Sequence, residues 1–461
     1  MAPLNEILRR NFDAGAPARA FKAQWSSMGD VFSVLLILGG DVIERALAQL
    51  VGSGITPVAF SFGWVAYAVS AVNSAVGENR LMPLPDCDCK VINRKTGYDR
   101  GNTSWIIGRI MRDFESWKDD DTPENDKIGD KVNAVIESVW KYQKKEADKE
   151  HEGSGAFVPR PAQAGLCISV WEALPTKKGH PGRDLVYYIG FITTIVQLGI
   201  AAIPCGLYGD WGIIMVTGAG IILSFLSGSL PQWKEEKWAC RENAKKDVII
   251  TRGNGAQHAL LILGSQGGLD LEDLAAGQTN LDFSKSWATR LVVIGLATLW
   301  VLLLVTASSL SDNAWFLLAV GGIGILQNIY VAAWRRNPRQ FGIPLKYKES
   351  IMERKVMDAL YTAEQKYPRT GLNLLPTFFP GKLRDGEQRI WDSYEEIANG
   401  GSGNGTANGS AGGGATATST GVDTAPAASA SSASSAPSAP APNATATAAG
   451  ATSSPPTQPS S

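Results

Sequence analysis

Two neighbouring apolar runs constrain this chain more than any other feature. Residues 291–310 and 314–334 contain no charged residue, and only Ser311, Asp312 and Asn313 separate them. Each run is about 20 residues, which at ~1.5 Å per residue matches a hydrocarbon core of ~30 Å. A soluble amphipathic helix carries a charged face, and these carry none. Trp287 and Arg290 precede the first run, Trp315 opens the second, and Trp334, Arg335 and Arg336 close it. Aromatics therefore stand near both interfaces and cations at one, which predicts a transmembrane hairpin with its cationic ends in the cytoplasm.

Two further hairpins are predicted on the same grounds. Residues 185–207 and 211–230 turn at Tyr208, Gly209 and Asp210; Pro204 should kink the first helix, and Gly220, Ser224 and Gly228 form a ridge of small residues suited to close helix packing. Residues 31–51 and 56–77 would make the other hairpin, turning at 52–54, with Trp64 and Tyr67 inside its second span. The mean hydropathy of −0.05 hides all three because long polar segments dilute them. None of the three turns contains Lys or Arg, and of the 43 such residues only Arg45 falls inside a span. That asymmetry predicts both termini and every large polar segment on the cytoplasmic side.

The expected order is an amphipathic segment at 1–30, hairpin 31–77, an α/β segment at 78–184, hairpin 185–230, a β-hairpin segment at 231–290, hairpin 291–334, helices at 335–397 and a tail at 398–461. Within 78–184, a strand is read at 90–93, helices around 106–117 and 128–142, and a half-buried strand from Leu166, where apolar residues alternate. Residues 248–251 and 258–263 read as strands of a hairpin around Gly253, Asn254 and Gly255, followed by a short helix at 269–276. Met352, Val356, Ala359 and Ala363 have helical spacing. From Asn399 onward Gly, Ser, Ala, Thr and Pro dominate with Asp423 as the lone charge, so that segment is expected to be disordered.

The candidate site is the charged cluster Asp41, Glu44 and Arg45 in the first predicted span. Asp41 and Arg45 are four residues apart and would share a helix face, and ionisable groups at membrane depth serve as proton relays, substrate counter-ions or structural pairs. Asn73, Gln197, Gln327 and Asn328 would line a polar path or, more ordinarily, bond between helices. No catalytic motif or cofactor fingerprint is present. Asp86-Cys87-Asp88-Cys89 lacks histidine partners at zinc-ligand spacing, so no metal is expected. Gly253 to Gly255 has no Walker Lys-Ser/Thr after it and reads as a turn. His258 has no acid or nucleophile beside it in sequence and reads as a strand histidine. The net charge of −1 argues against nucleic acid as a partner.

Asp41-Val42-Ile43, 59–64, 104–109, 252–255 and 269–274 together resemble multi-pass membrane proteins of filamentous fungi that carry no assigned function. The resemblance implies a membrane protein and brings no site residues with it. The sequence thus predicts an α-helical polytopic membrane protein of three transmembrane hairpins, with a small cytoplasmic α/β domain and a disordered tail. Its partners would be the lipid bilayer and a cytoplasmic protein. The leading expectation is a non-enzymatic scaffold or accessory protein, and the alternative is a small-solute or ion transporter using Asp41, Glu44 and Arg45.

Overall fold

The structure is a computed structural model that describes residues 39–400 apart from 53, 79, 151–156, 278–285 and 311–312. The 1–30 segment, the first eight residues of the 31–51 stretch and the tail from 401 lie outside the described residues.

Among the described residues, three helices are long and apolar enough to cross a membrane: α6 (Leu185–Tyr208), α10 (Ser286–Ser308, apolar from Trp287) and α11 (Ala314–Ala333). A fourth crossing is available if α7 (Gly212–Gly228) and α8 (Pro231–Lys237), bent by 42° at their junction, are taken as one broken span. Asp184 caps the start of α6 by accepting from Tyr187 N at 3.1 Å, and Gly209, in the left-handed conformation, closes its end. The far turns meet there, with Asn313 Nδ2 donating to Asp210 Oδ2 at 3.3 Å.

The first expected hairpin is built differently. Its described part holds two helices of 11 residues, α1 (Gly40–Leu50) and α2 (Gly63–Asn73), the second extended by a π turn at Ser74–Glu78. Eleven residues span only ~16 Å. Residues 56–61, expected to be helical, form no helix. Moreover, the 52–54 turn is not at the far end: a Cβ on Gly52 would strike Trp238 at 2.2 Å, and Ser229 Oγ donates to Gly54 O at 3.4 Å. Both contacts belong to the end of α7 that carries the polar segments, opposite Asp210 and Asn313.

The polar segments build one mixed sheet of six strands in the order β2-β1-β4-β5-β3-β6. These are β1 (Lys90–Asn93), β2 (Asp99–Gly101), β3 (Leu166–Ala173), β4 (Val248–Thr251), β5 (His258–Leu263) and β6 (Leu345–Glu353). β4 and β5 form the expected antiparallel hairpin, with Val248 opposite Ile262; β3 and β5 are parallel, with Cys167 opposite His258. β3 was expected to be half-buried, yet seven of its eight residues are buried because both faces of the sheet are covered. Sequence reasoning missed β6, which alternates Leu345 in, Lys346 out, Tyr347 in and Lys348 out. The i, i+4 spacing of Met352 and Val356 disguised its end as helix.

One face of the sheet, including Val91, Val248, Ile250 and Leu260, joins the same hydrophobic core as the long apolar helices. The link runs through α3 (Trp105–Arg112), α4 (Phe114–Trp117) and α5 (Ile128–Glu150), whose Ile106, Ile107, Ile110 and Phe114 are buried. The other face, with Ile92, Ile168, Ile249 and Leu261, is covered by α12 (Val356–Lys366), α13 (Thr370–Phe378) and α14 (Asp385–Gly400). The short α9 (Leu271–Ala276) follows β5. The third polar segment therefore supplies both an edge strand and a covering layer.

Candidate functional site: the buried segment 56–62 and the cationic junction

Residues 56–62 form neither helix nor strand and run fully buried into the groove between α6, α7 and α11. Glycines make room for the backbone. A Cβ on Gly190 would lie 2.0 Å from Pro57 O, one on Gly324 1.8 Å from Phe60 O, and one on Gly220 2.4 Å from the Phe60 ring. The small-residue ridge of α7 thus receives the Phe60 ring and Thr56 of this non-helical segment.

Backbone outside helix and sheet in an apolar layer must find hydrogen-bond partners, and here side chains supply them. Asn328 closes a two-way bond with Ala59, accepting its N–H at 3.1 Å and donating to its carbonyl at 3.0 Å. Gln327 Oε1 also accepts from Ala59 N, at 3.3 Å, and Gln197 Nε2 donates to Phe60 O at 2.7 Å and Val320 O at 2.9 Å. Tyr187 OH donates to Ile55 O, and Thr56 Oγ1 donates to Gly228 O at 2.8 Å. Three of the four polar residues singled out from sequence therefore hold one segment, while Asn73 is exposed at the end of α2. The Trp300 ring stacks on Trp64 at 5.3 Å and on Phe60 at 6.2 Å, sealing the segment against α10.

Where the bundle meets the sheet, three basic side chains are buried. Each sits at the carbonyl end of a helix, where backbone oxygens lack helical partners and the dipole favours positive charge. Arg336 Nη1 donates to Gln49 O at 2.7 Å, while its Nε and Nη2 hold both oxygens of Asp184 at 2.7 and 2.8 Å. Lys237 Nζ donates to Gln49 O and Val51 O at 3.1 and 3.0 Å and lies 5.0 Å from the Trp238 ring. Among the described residues no carboxylate lies within 4.0 Å of that ammonium. Arg109 Nη2 bridges Ala332 O and Trp334 O at 3.1 and 3.0 Å, and its Nη1 donates to Asp86 at 2.8 Å. Burial lowers the pKa of Arg109 and of Arg336, with Asp86 and Asp184 acting in opposition; a guanidinium stays charged through such a shift. Because Asp184 also caps α6, Arg336 ties the end of α1 to the start of α6.

Sequence reasoning read Arg336 as an interfacial cation and passed over Lys237. The legible signal was Lys237 between Trp233 and Trp238 in a short turn, a cation embedded in aromatics.

Of the cluster named from sequence, Asp41 and Arg45 are exposed on α1 and Glu44 is half-buried. Arg45 reaches Asp86 at 3.8 Å, on the rim of the Arg109 network. Cys87 and Cys89 are buried and burial raises both thiol pKa values, that of Cys89 to about 12. No group of three or more His, Cys, Asp or Glu suited to a metal occurs among the described residues.

His258 does have an acid beside it, Glu115, whose Oε1 lies 2.7 Å from its Nε2. That bond, with Lys118, lowers the Glu115 pKa to about 2. The neighbouring Cys167 is fully buried and pushed up to about 12, so it is a packed thiol rather than a nucleophile.

No known protein family, curated protein or solved structure matches this chain.

Proposed function

We propose that the chain is a multi-pass integral membrane protein acting as a non-enzymatic scaffold or accessory protein, its polar domain held rigidly on the membrane helices and exposed to a cytoplasmic protein partner. The observation that carries this reading is the junction: buried cations fix the sheet domain to the ends of α1, α6 and α11 through backbone carbonyls and Asp184. Such a junction suits an anchor that fixes orientation more than a part that rocks between two states. The side-chain ligation of 56–62 supports the same view, because irregular backbone at membrane depth persists where protein buries it.

In this reading α6, α7 with α8, α10 and α11 cross the bilayer, and the α1–α2 segment enters it from the polar side. An even number of crossings puts the polar segments and both termini in the cytoplasm, in line with turns at 208–210 and 311–313 that hold no Lys or Arg. Arg45 belongs to the junction through Asp86. The transport alternative is tested in sealed liposomes containing the full chain. A scaffold leaves imposed potassium, sodium and chloride gradients decaying as in empty vesicles. Faster decay that Asp41→Asn or Arg45→Leu abolishes would replace the scaffold with a transporter.

A further inference from the structure

A cleft of about 570 Å³ opens between the β1–β2 turn, the chain entering β4 and the α12–α13 connection. Arg94, Lys95, Lys245, Lys246 and Arg369 line it, with Asp247 as the acidic residue. In a chain of net charge −1, such an excess is local.

The charges differ in how they are compensated. Arg94 is paired with Asp247 at 2.6 Å, and Lys246 with Asp270 and Glu272 at 3.0 and 3.1 Å. Arg369 bonds neutral oxygens only, Lys95 O at 3.0 Å, Ala398 O at 2.7 Å and Asn399 Oδ1 at 3.2 Å. Lys95 and Lys245 are exposed, and among the described residues neither ammonium has a carboxylate partner. Three positive charges from three separate segments thus converge without counter-charge.

The guanidinium is set in advance. Arg369 adopts φ 70°, a left-handed conformation unusual for a side-chain-bearing residue, and the buried Glu364 stabilises it by accepting from Arg369 N at 2.6 Å and Leu372 N at 3.0 Å. Arg94 is likewise fixed, by Asp247 and by Pro368 O at 3.3 Å.

We propose that this cleft binds a small soluble anion bearing two or more phosphoryl groups. A phosphoryl monoester carries about −1.5 to −2 at neutral pH, so two of them balance three uncompensated cations. The cleft is of the size that holds a small molecule, typically ~300–1,000 Å³. The Arg369 guanidinium, held by neutral oxygens, keeps N–H donors such as Nε for phosphoryl oxygens. Pro368 and Arg369 belong to the helical layer over the sheet face away from the bundle, which favours a soluble ligand over a lipid headgroup.

The test is calorimetric titration of the detergent-solubilised full chain with inorganic pyrophosphate. Saturable binding that weakens with added salt is expected, reduced about tenfold by the double substitution Lys95→Ala with Lys245→Ala. Both lysines are exposed and unpartnered, so the variant should melt at the wild-type temperature. Absence of saturable binding, or equal affinity in the variant, overturns the proposal. Displacement of pyrophosphate by phosphatidylinositol bisphosphate vesicles but not by soluble phosphorylated compounds also overturns it, reassigning the cleft to a lipid.

Discussion

The α10 helix and the stretch from Ile43 to Trp64 are both rich in apolar residues, yet they meet opposite surroundings. In the most apolar window of α10 only 22% of residues are buried, and Leu291, Leu299, Leu302 and Val305 point outward. In the other stretch Ile43, Leu47, Val58, Phe60, Phe62 and Trp64 are all buried. A helix satisfies its own backbone and needs nothing from its neighbours, so α10 can face hydrocarbon. Non-helical residues such as Ala59 and Phe60 cannot, and they survive only where Gln197, Gln327 and Asn328 reach them. Apolar composition alone therefore does not separate a span from a segment enclosed by spans.

The comparison breaks most sharply at the glycines. Gly324→Val would force a side chain onto Phe60 O and should destabilise by about 3 kcal/mol, read as lost thermal stability of the solubilised protein. Gly199→Ala, with nothing within 4 Å of its Cβ, should be neutral or gain up to ~1 kcal/mol. Equal losses at both positions would mean that the groove is not specially close-packed.

Next in size is Asn328→Leu, which removes both bonds to Ala59 and leaves its N–H with only the longer bond to Gln327 at 3.3 Å, for a loss of about 1 to 2 kcal/mol. Asn73→Leu, at an exposed site, should change stability by less than ~0.5 kcal/mol. The contrast extends to charges at the junction. Arg336→Lys keeps the charge and loses the fork on Asp184, which should lower stability by about 1 to 2 kcal/mol in the same melting assay. Arg45→Ala breaks a 3.8 Å pair whose arginine side chain is 54% exposed and should cost less than ~0.5 kcal/mol.

How much of this was legible in the sequence followed from which interactions are local. The α10 and α11 spans, β1, and the β4–β5 hairpin rest on short-range patterns of charge-free length or alternation, and they were readable from Leu291, Lys90 or Val248 onward. The sheet order was not, because it pairs β3 with β5 and β6 across long intervals of chain. The segment at 56–62 was hidden for the same reason: the amide side chains that hold it are 137 to 269 positions away, from Gln197 on Phe60 to Asn328 on Ala59. Gln197, Gln327 and Asn328 were visible as unusual polar residues within spans. What they serve became visible only when Ala59 and Phe60 lay beside them. Arg109 and Lys237 gave little signal because a cation that will cap a distant helix looks, in sequence, like a solvated one.

The central claim is that the 52–54 turn lies on the polar-domain side and that the α1–α2 segment enters the bilayer without crossing it. The direct measurement is labelling of single cysteines by a membrane-impermeant maleimide on sealed, oriented vesicles, at Ile55→Cys, Tyr208→Cys and Lys177→Cys, all at exposed positions. The account predicts that positions 55 and 177 label from one side and position 208 from the other. Labelling of 55 together with 208 would contradict it and restore a complete first hairpin.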